Sequence, residues 1–165
     1  MDLLDRLLGH DAWTTRQLLE RCRGLDDAAL DREFDLAHRT LRATFLHIVW
    51  NMEAWSDGLA GVPLRPKRNA EPAMRSVEGL IARLDGAAKD LARVAKGVRD
   101  RGTWDGRWRD VPDDPTTEKT YGGAIAHVIT HSMHHRAQAL AMMKWLGMRD
   151  LPEGDVLSWE DQAGG

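Results

Sequence analysis

Apolar residues recur three and four positions apart through Leu4, Leu7, Leu8, Leu18, Leu19 and Cys22, with Thr15 on the same face, and predict a first helix that Gly24 closes with a left-handed residue. After a polar stretch from Asp26 to Asp35, the same spacing in Leu41, Phe45, Ile48, Met52, Trp55 and Leu59 predicts a second helix, ended by Gly61 and Pro63. Residues 62–72 hold three prolines and three basic side chains and form an exposed connection. A third helix follows through Val77, Leu80, Ile81, Leu84, Leu91, Ala95 and Val98, stopped by Gly102. Between Thr103 and Pro115 the chain is too broken by Trp, Gly and Pro for a helix and suits a short hairpin or an ordered loop. Thr116 or Thr117 then caps a fourth helix, running from Glu118 to about Leu146 before Gly147. Leu157 and Trp159 are expected to pack the tail down, with Ala163-Gly164-Gly165 fraying.

Four long helices in 165 residues make one all-α domain spanning residues 1–165, a four-helix bundle with a long connection before the last helix. Composition narrows the function classes. Charged residues are 30% and nearly balanced, net −3, so there is no electrostatic footprint for nucleic acid or an anionic membrane. No apolar run approaches the roughly 18 residues that span a bilayer. One cysteine, Cys22, excludes an internal disulfide and reads as a small core residue, consistent with a reducing, cytoplasmic setting. Trp50, Trp55 and Trp145 are expected to pack the core.

Four of the seven histidines crowd between positions 127 and 135. His131 and His135 are one helical turn apart, roughly 40° around the axis, so both imidazoles can reach one metal ion. A third ligand is needed, and the other histidine set in a helical apolar pattern is His47. Arg39, Arg42, Glu53 and Asp57 define the solvated side of that helix, and His47 points away from it. Bundles build metal sites from facing helices, so one ligand from the second helix and two from the fourth is a sound geometry. Any one of these residues alone reads more readily as a hydrogen-bonded buried histidine. Three together need polar partners that a cation supplies at once.

The segment Thr40-Leu-Arg-Ala-Thr-Phe-Leu-His47-Ile-Val-Trp-Asn-Met-Glu-Ala-Trp55 and the segment His127-Val-Ile-Thr-His131-Ser-Met-His-His135-Arg-Ala-Gln138 resemble the DinB family of damage-inducible proteins. His10-Asp11-Ala12-Trp13 and Leu146-Gly147, followed by Asp155 and Trp159, resemble family positions as well. The resemblance covers most of the chain. It implies a four-helix bundle holding a divalent metal, zinc or else nickel, through His47, His131 and His135. Arg136 and Gln138 match the residues that follow the last ligand, and are read equally as a salt bridge and a core-facing amide. His127 stands as a candidate outer partner of the ligands or a plain core histidine, His134 as a surface group, and Asn51 as a pocket-lining or merely polar contact.

A metal held by three imidazoles keeps a coordination position open, as catalytic sites do, where water or a thiol can be activated. The resemblance extends to a wider superfamily in which some characterised members look like thiol-dependent S-transferases or isomerases and many others have no assigned reaction. The expectation is therefore a metal-dependent enzyme using a low-molecular-weight thiol and a small-molecule substrate, with a homodimer implied by the resemblance. The alternatives are a non-enzymatic metal- or ligand-binding stress protein and a metal-dependent hydrolase. The absence of an obvious carboxylate beside the histidines weakens hydrolysis.

Overall fold

A side-chain cap starts each long helix. Asp2 and Asp5 form a capping box at the head of α1 (Leu3–Arg21). After the short α2 (Asp27–Leu30), Thr40 caps α3 (Leu41–Ala60). The short α4 (Pro72–Arg75) leads to Ser76, which caps α5 (Val77–Arg101). Thr120 caps α6 (Tyr121–Trp145). In each case the side-chain oxygen accepts a backbone N–H that the helix itself leaves unpaired. The computed structural model describes residues 1–163. The expected fraying of Gly164 and Gly165 lies outside the described residues, and Ala163 is the last residue of α7 (Val156–Ala163).

α1 and α3 each pack on both α5 and α6, so the helices run around the bundle in the order α1, α5, α3, α6. Their facing stripes bury a continuous core that includes Leu18, Leu19, Phe45, Ile48, Leu84, Leu91, Val128 and Met142. The all-α bundle predicted from periodicity is thus the architecture found. Cys22 is fully buried, and burial pushes its thiol up to about 12, which makes it inert at neutral pH.

The long connection before α6 is an antiparallel hairpin of β1 (Arg107–Asp110) and β2 (Asp114–Thr120). Trp108 and Asp110 alternate inward along β1. Strand pairing, Trp108 opposite Lys119 and Arg109 opposite Glu118, takes residues that the sequence pattern assigns to the helix. The fourth helix therefore starts at Tyr121 and its cap is Thr120, not Thr116 or Thr117.

Other expectations are corrected by contacts from distant elements. Gly24 ends a 3-10 turn, and the left-handed glycines are Gly61, Gly102 and Gly147. Arg42, Glu53 and Asp57 are not a solvated face but are buried in ion pairs. Arg42 meets Asp27 and Asp31, Glu53 meets Arg83 at 2.7 Å, and Asp57 meets Arg65 at 2.6 Å. Trp55 is core, but Trp50 is half-buried and Trp145 is 55% exposed beside Phe34. Trp159 packs down as expected, whereas Leu157 is exposed.

Candidate metal centre

α3 and α6 lie side by side, and this contact brings His47 to the pair on α6. His47 Nε2 is 3.1 Å from His131 Nε2, which is 3.2 Å from His135 Nε2. The three ring nitrogens singled out by sequence therefore face one another. His47 and His131 are half-buried and His135 is buried, so the cluster sits at the wall of the bundle rather than at its axis.

The far nitrogens are held. His135 Nδ1 lies 2.7 Å from Gln138 Oε1; since that oxygen only accepts, Nδ1 carries the proton and Nε2 presents a lone pair to the cluster. Asn51 Nδ2, one turn beyond His47 on α3, donates to His131 Nδ1 at 3.2 Å, so the neutral His131 ring carries its proton on Nε2, toward its two neighbours. Such outer hydrogen bonds fix the tautomer and the ring plane of metal-binding histidines. The proton on His131 Nε2 lies between two neighbouring nitrogens, and a divalent ion bound there would take that proton's place. The donor set thus fits a divalent ion, and it consists of nitrogen ligands of the type zinc accepts.

Sequence reasoning missed His38. It sits in the loop before α3, and its ring stacks on His47 with centroids 4.0 Å apart. Ligand atoms of His38, His47 and His135 lie within 4.8 Å of one another. The residues on either side, Ala37 and Arg39, both have positive φ, 35° and 66°. Non-glycine residues there cost on the order of 1 kcal/mol or more each, a strain that clusters at functional sites. Helical periodicity carries no information about this loop; the histidine itself was the only signal.

The remaining candidates divide. His127 is exposed rather than core; its ring lies between those of Trp55 and His131, with centroids at 4.8 and 5.2 Å. His134 is exposed, as expected, and pairs with Gln138 Nε2 at 2.9 Å, so Gln138 bridges two imidazoles instead of packing in the core. Arg136 makes its salt bridge with Asp11 on α1, both buried, and a bond of 3.1 Å to Thr15. His10 pairs with Gly154 O at 2.8 Å and ties the tail to α1.

Burial, reinforced by the neighbouring imidazoles, holds His47 down to about 3 and His131 to about 4, and lowers His135 and His38 as well. All four are neutral at pH 7, the form a metal binds. In the metal-free protein the unfolded chain takes up these protons near pH 6.5 and the folded one only at lower pH. Stability is therefore expected to be flat above about pH 6.5 and to fall toward pH 4. Urea denaturation across that range should show a shallower fall in His47→Gln; equal slopes would contradict a buried, neutral His47.

The sequence model described as the DinB family matches residues 1–162. Comparison with curated proteins finds no match. Among the described residues no helix is long and apolar enough to cross a membrane.

Proposed function

The chain belongs to the DinB family, and from that premise we propose that it is a divalent-metal-dependent enzyme that activates a low-molecular-weight thiol for transfer to a small electrophile. His47, His131 and His135 are the proposed ligands and zinc the proposed ion, with nickel as second choice on ligand type. The observation that carries this reading is the convergence of three Nε2 atoms from two helices, with the opposite nitrogens of His131 and His135 already engaged by Asn51 and Gln138.

Such an ion, when bound, supplies a Lewis-acidic position at which a thiol loses its proton near neutral pH. The chain's residues do the rest. Gln138 keeps the proton of His135 on Nδ1, and Asn51 orients His131. The half-buried setting keeps the imidazoles neutral and lowers the local dielectric around them. His38 flanks His47, where it can steer an incoming ligand or add a fourth nitrogen. The group assembled among the described residues is made of imidazoles alone, which favours thiol activation over hydrolysis driven by a carboxylate base. Action on a small molecule, as a cytoplasmic homodimer, belongs to the same reading through the family resemblance.

The test is a panel of thiols with monochlorobimane or a haloarene and zinc-loaded protein, in which the new S–C bond forms as halide leaves. At least one thiol should turn over faster than in a His131→Ala control. A panel without any such difference would replace the enzyme with a non-enzymatic metal-binding protein.

A further inference from the structure

The three helix-borne imidazoles already stand at the spacing a shared ion needs. Two nitrogens bound to one ion at about 2.1 Å in tetrahedral geometry lie about 3.4 Å apart, and His131 Nε2 is 3.1 Å from His47 Nε2 and 3.2 Å from His135 Nε2. His38 stands just outside that shell. Its ring rests against His47 at 4.0 Å and against His135 at 4.9 Å between centroids, and ligand atoms of His38, His47 and His135 lie within 4.8 Å of one another. An approach of at most about 1.4 Å, the excess over the shared-ion spacing, seats it as a further nitrogen ligand.

The segment that carries His38 aims the ring and is lightly held. Phe34 N–H donates to Arg39 O at 2.7 Å and Arg39 N–H to Leu36 O at 2.7 Å, closing the loop on itself. Positive φ at Ala37 and Arg39 is a strain that persists only where the surroundings impose it. The ties of this loop are weak ones. Phe34 and Leu36 anchor it to the bundle but are only partly buried, and Phe34 meets Trp145, itself 55% exposed. The Glu33–Arg39 pair, with side chains 65% and 62% exposed, contributes little. His47, His131 and His135, by contrast, are fixed on packed helices.

We propose that His38 is a detachable fourth ligand, which occupies the metal's open position at rest and yields it to the incoming thiol, so that the loop of residues 31–40 sets how readily a thiol is admitted. The exchange breaks the bond between the metal and a His38 nitrogen and forms one between the metal and sulfur, the thiol proton leaving to solvent and no atom changing oxidation state. A loop-borne ligand of this kind adds little to metal affinity, so losing a helix-borne one still leaves only two firm ligands. The proposal deepens the functional reading above and rests on it for the presence of the ion.

Long-range ¹H–¹⁵N spectra of histidine-labelled protein report whether each ring nitrogen carries a proton, a lone pair or a metal. Zinc should move the ring nitrogens of His47, His131, His135 and also His38, the last assigned with His38→Gln. Saturating 2-mercaptoethanol should return those of His38 alone to their metal-free positions. His38→Gln should keep the zinc stoichiometry unchanged. In cobalt(II)-substituted protein, where a bound thiolate absorbs in the near ultraviolet, His38→Gln should bind 2-mercaptoethanol about tenfold more tightly than the parent, the gain expected if His38 holds the position about nine-tenths of the time. His38 nitrogens that zinc leaves in place while those of His47, His131 and His135 move, His38 still on the metal with thiol bound, or a thiol affinity equal with and without His38 each overturns the proposal and leaves the metal reading standing. Zinc that moves none of these rings removes the metal reading and the proposal together.

Discussion

Replacing His131 by alanine is expected to abolish stoichiometric zinc, taking purified protein from the one ion per chain proposed for a three-imidazole site to background in elemental analysis. His131 is the most sensitive position because its Nε2 is the one within 3.2 Å of both partners. His47→Ala and His135→Ala should have the same outcome, since two imidazoles hold a divalent ion far less tightly than three. Gln138→Ala should keep the stoichiometry and weaken the affinity roughly 10- to 100-fold, the usual effect of losing an outer hydrogen bond to a ligand. Full zinc occupancy in both His47→Ala and His135→Ala would reject the ligand set.

Asp11→Ala is expected to destabilise the fold by about 3–5 kcal/mol, because it leaves the Arg136 guanidinium buried without its counter-charge. The pair joins α1 to α6 and is the most enclosed in the protein, with side chains 1% and 3% exposed. It is also incompletely satisfied: Asp11 Oδ2 and Arg136 Nη2 have no partner, nor do the nearby hydroxyls of Thr14 and Ser132. An apolar replacement of both residues, Asp11→Leu with Arg136→Met, should therefore recover most of the loss. Urea denaturation of the single and double variants decides the matter. A double variant as unstable as Asp11→Ala would show that the pair does more than neutralise itself.

The four long helices, the caps at their heads apart, were legible because their apolar residues keep strict spacing and their ends carry Gly61, Gly102 and Gly147. His47, His131 and His135 were legible for the same reason, since position on a helix fixes direction. What stayed hidden depends on partners far along the chain. Arg42, Glu53 and Asp57 look solvated by residue type, and only Asp31, Arg83 and Arg65 make them interior. The polar run from Asp114 to Thr120 became a strand through pairing with β1, and His38 entered the site through a loop conformation that propensity does not encode. His47 lies opposite Arg42, Glu53 and Asp57 on α3, and because those three are themselves interior, both sides of this helix meet protein.

The two helices that carry the imidazoles are distant in chain order: His47 and His131 are 84 positions apart. Bringing such remote segments together carries a loop-closure cost that no local contact offsets early in folding. During synthesis, a ribosome that has released α3 but not α6 exposes His38 and His47 without the α6 pair that completes the cluster. On the proposed reading, metal capture would thus come late in the life of the chain, on an assembled bundle, and the ion would act as a clasp on finished architecture rather than a seed for it.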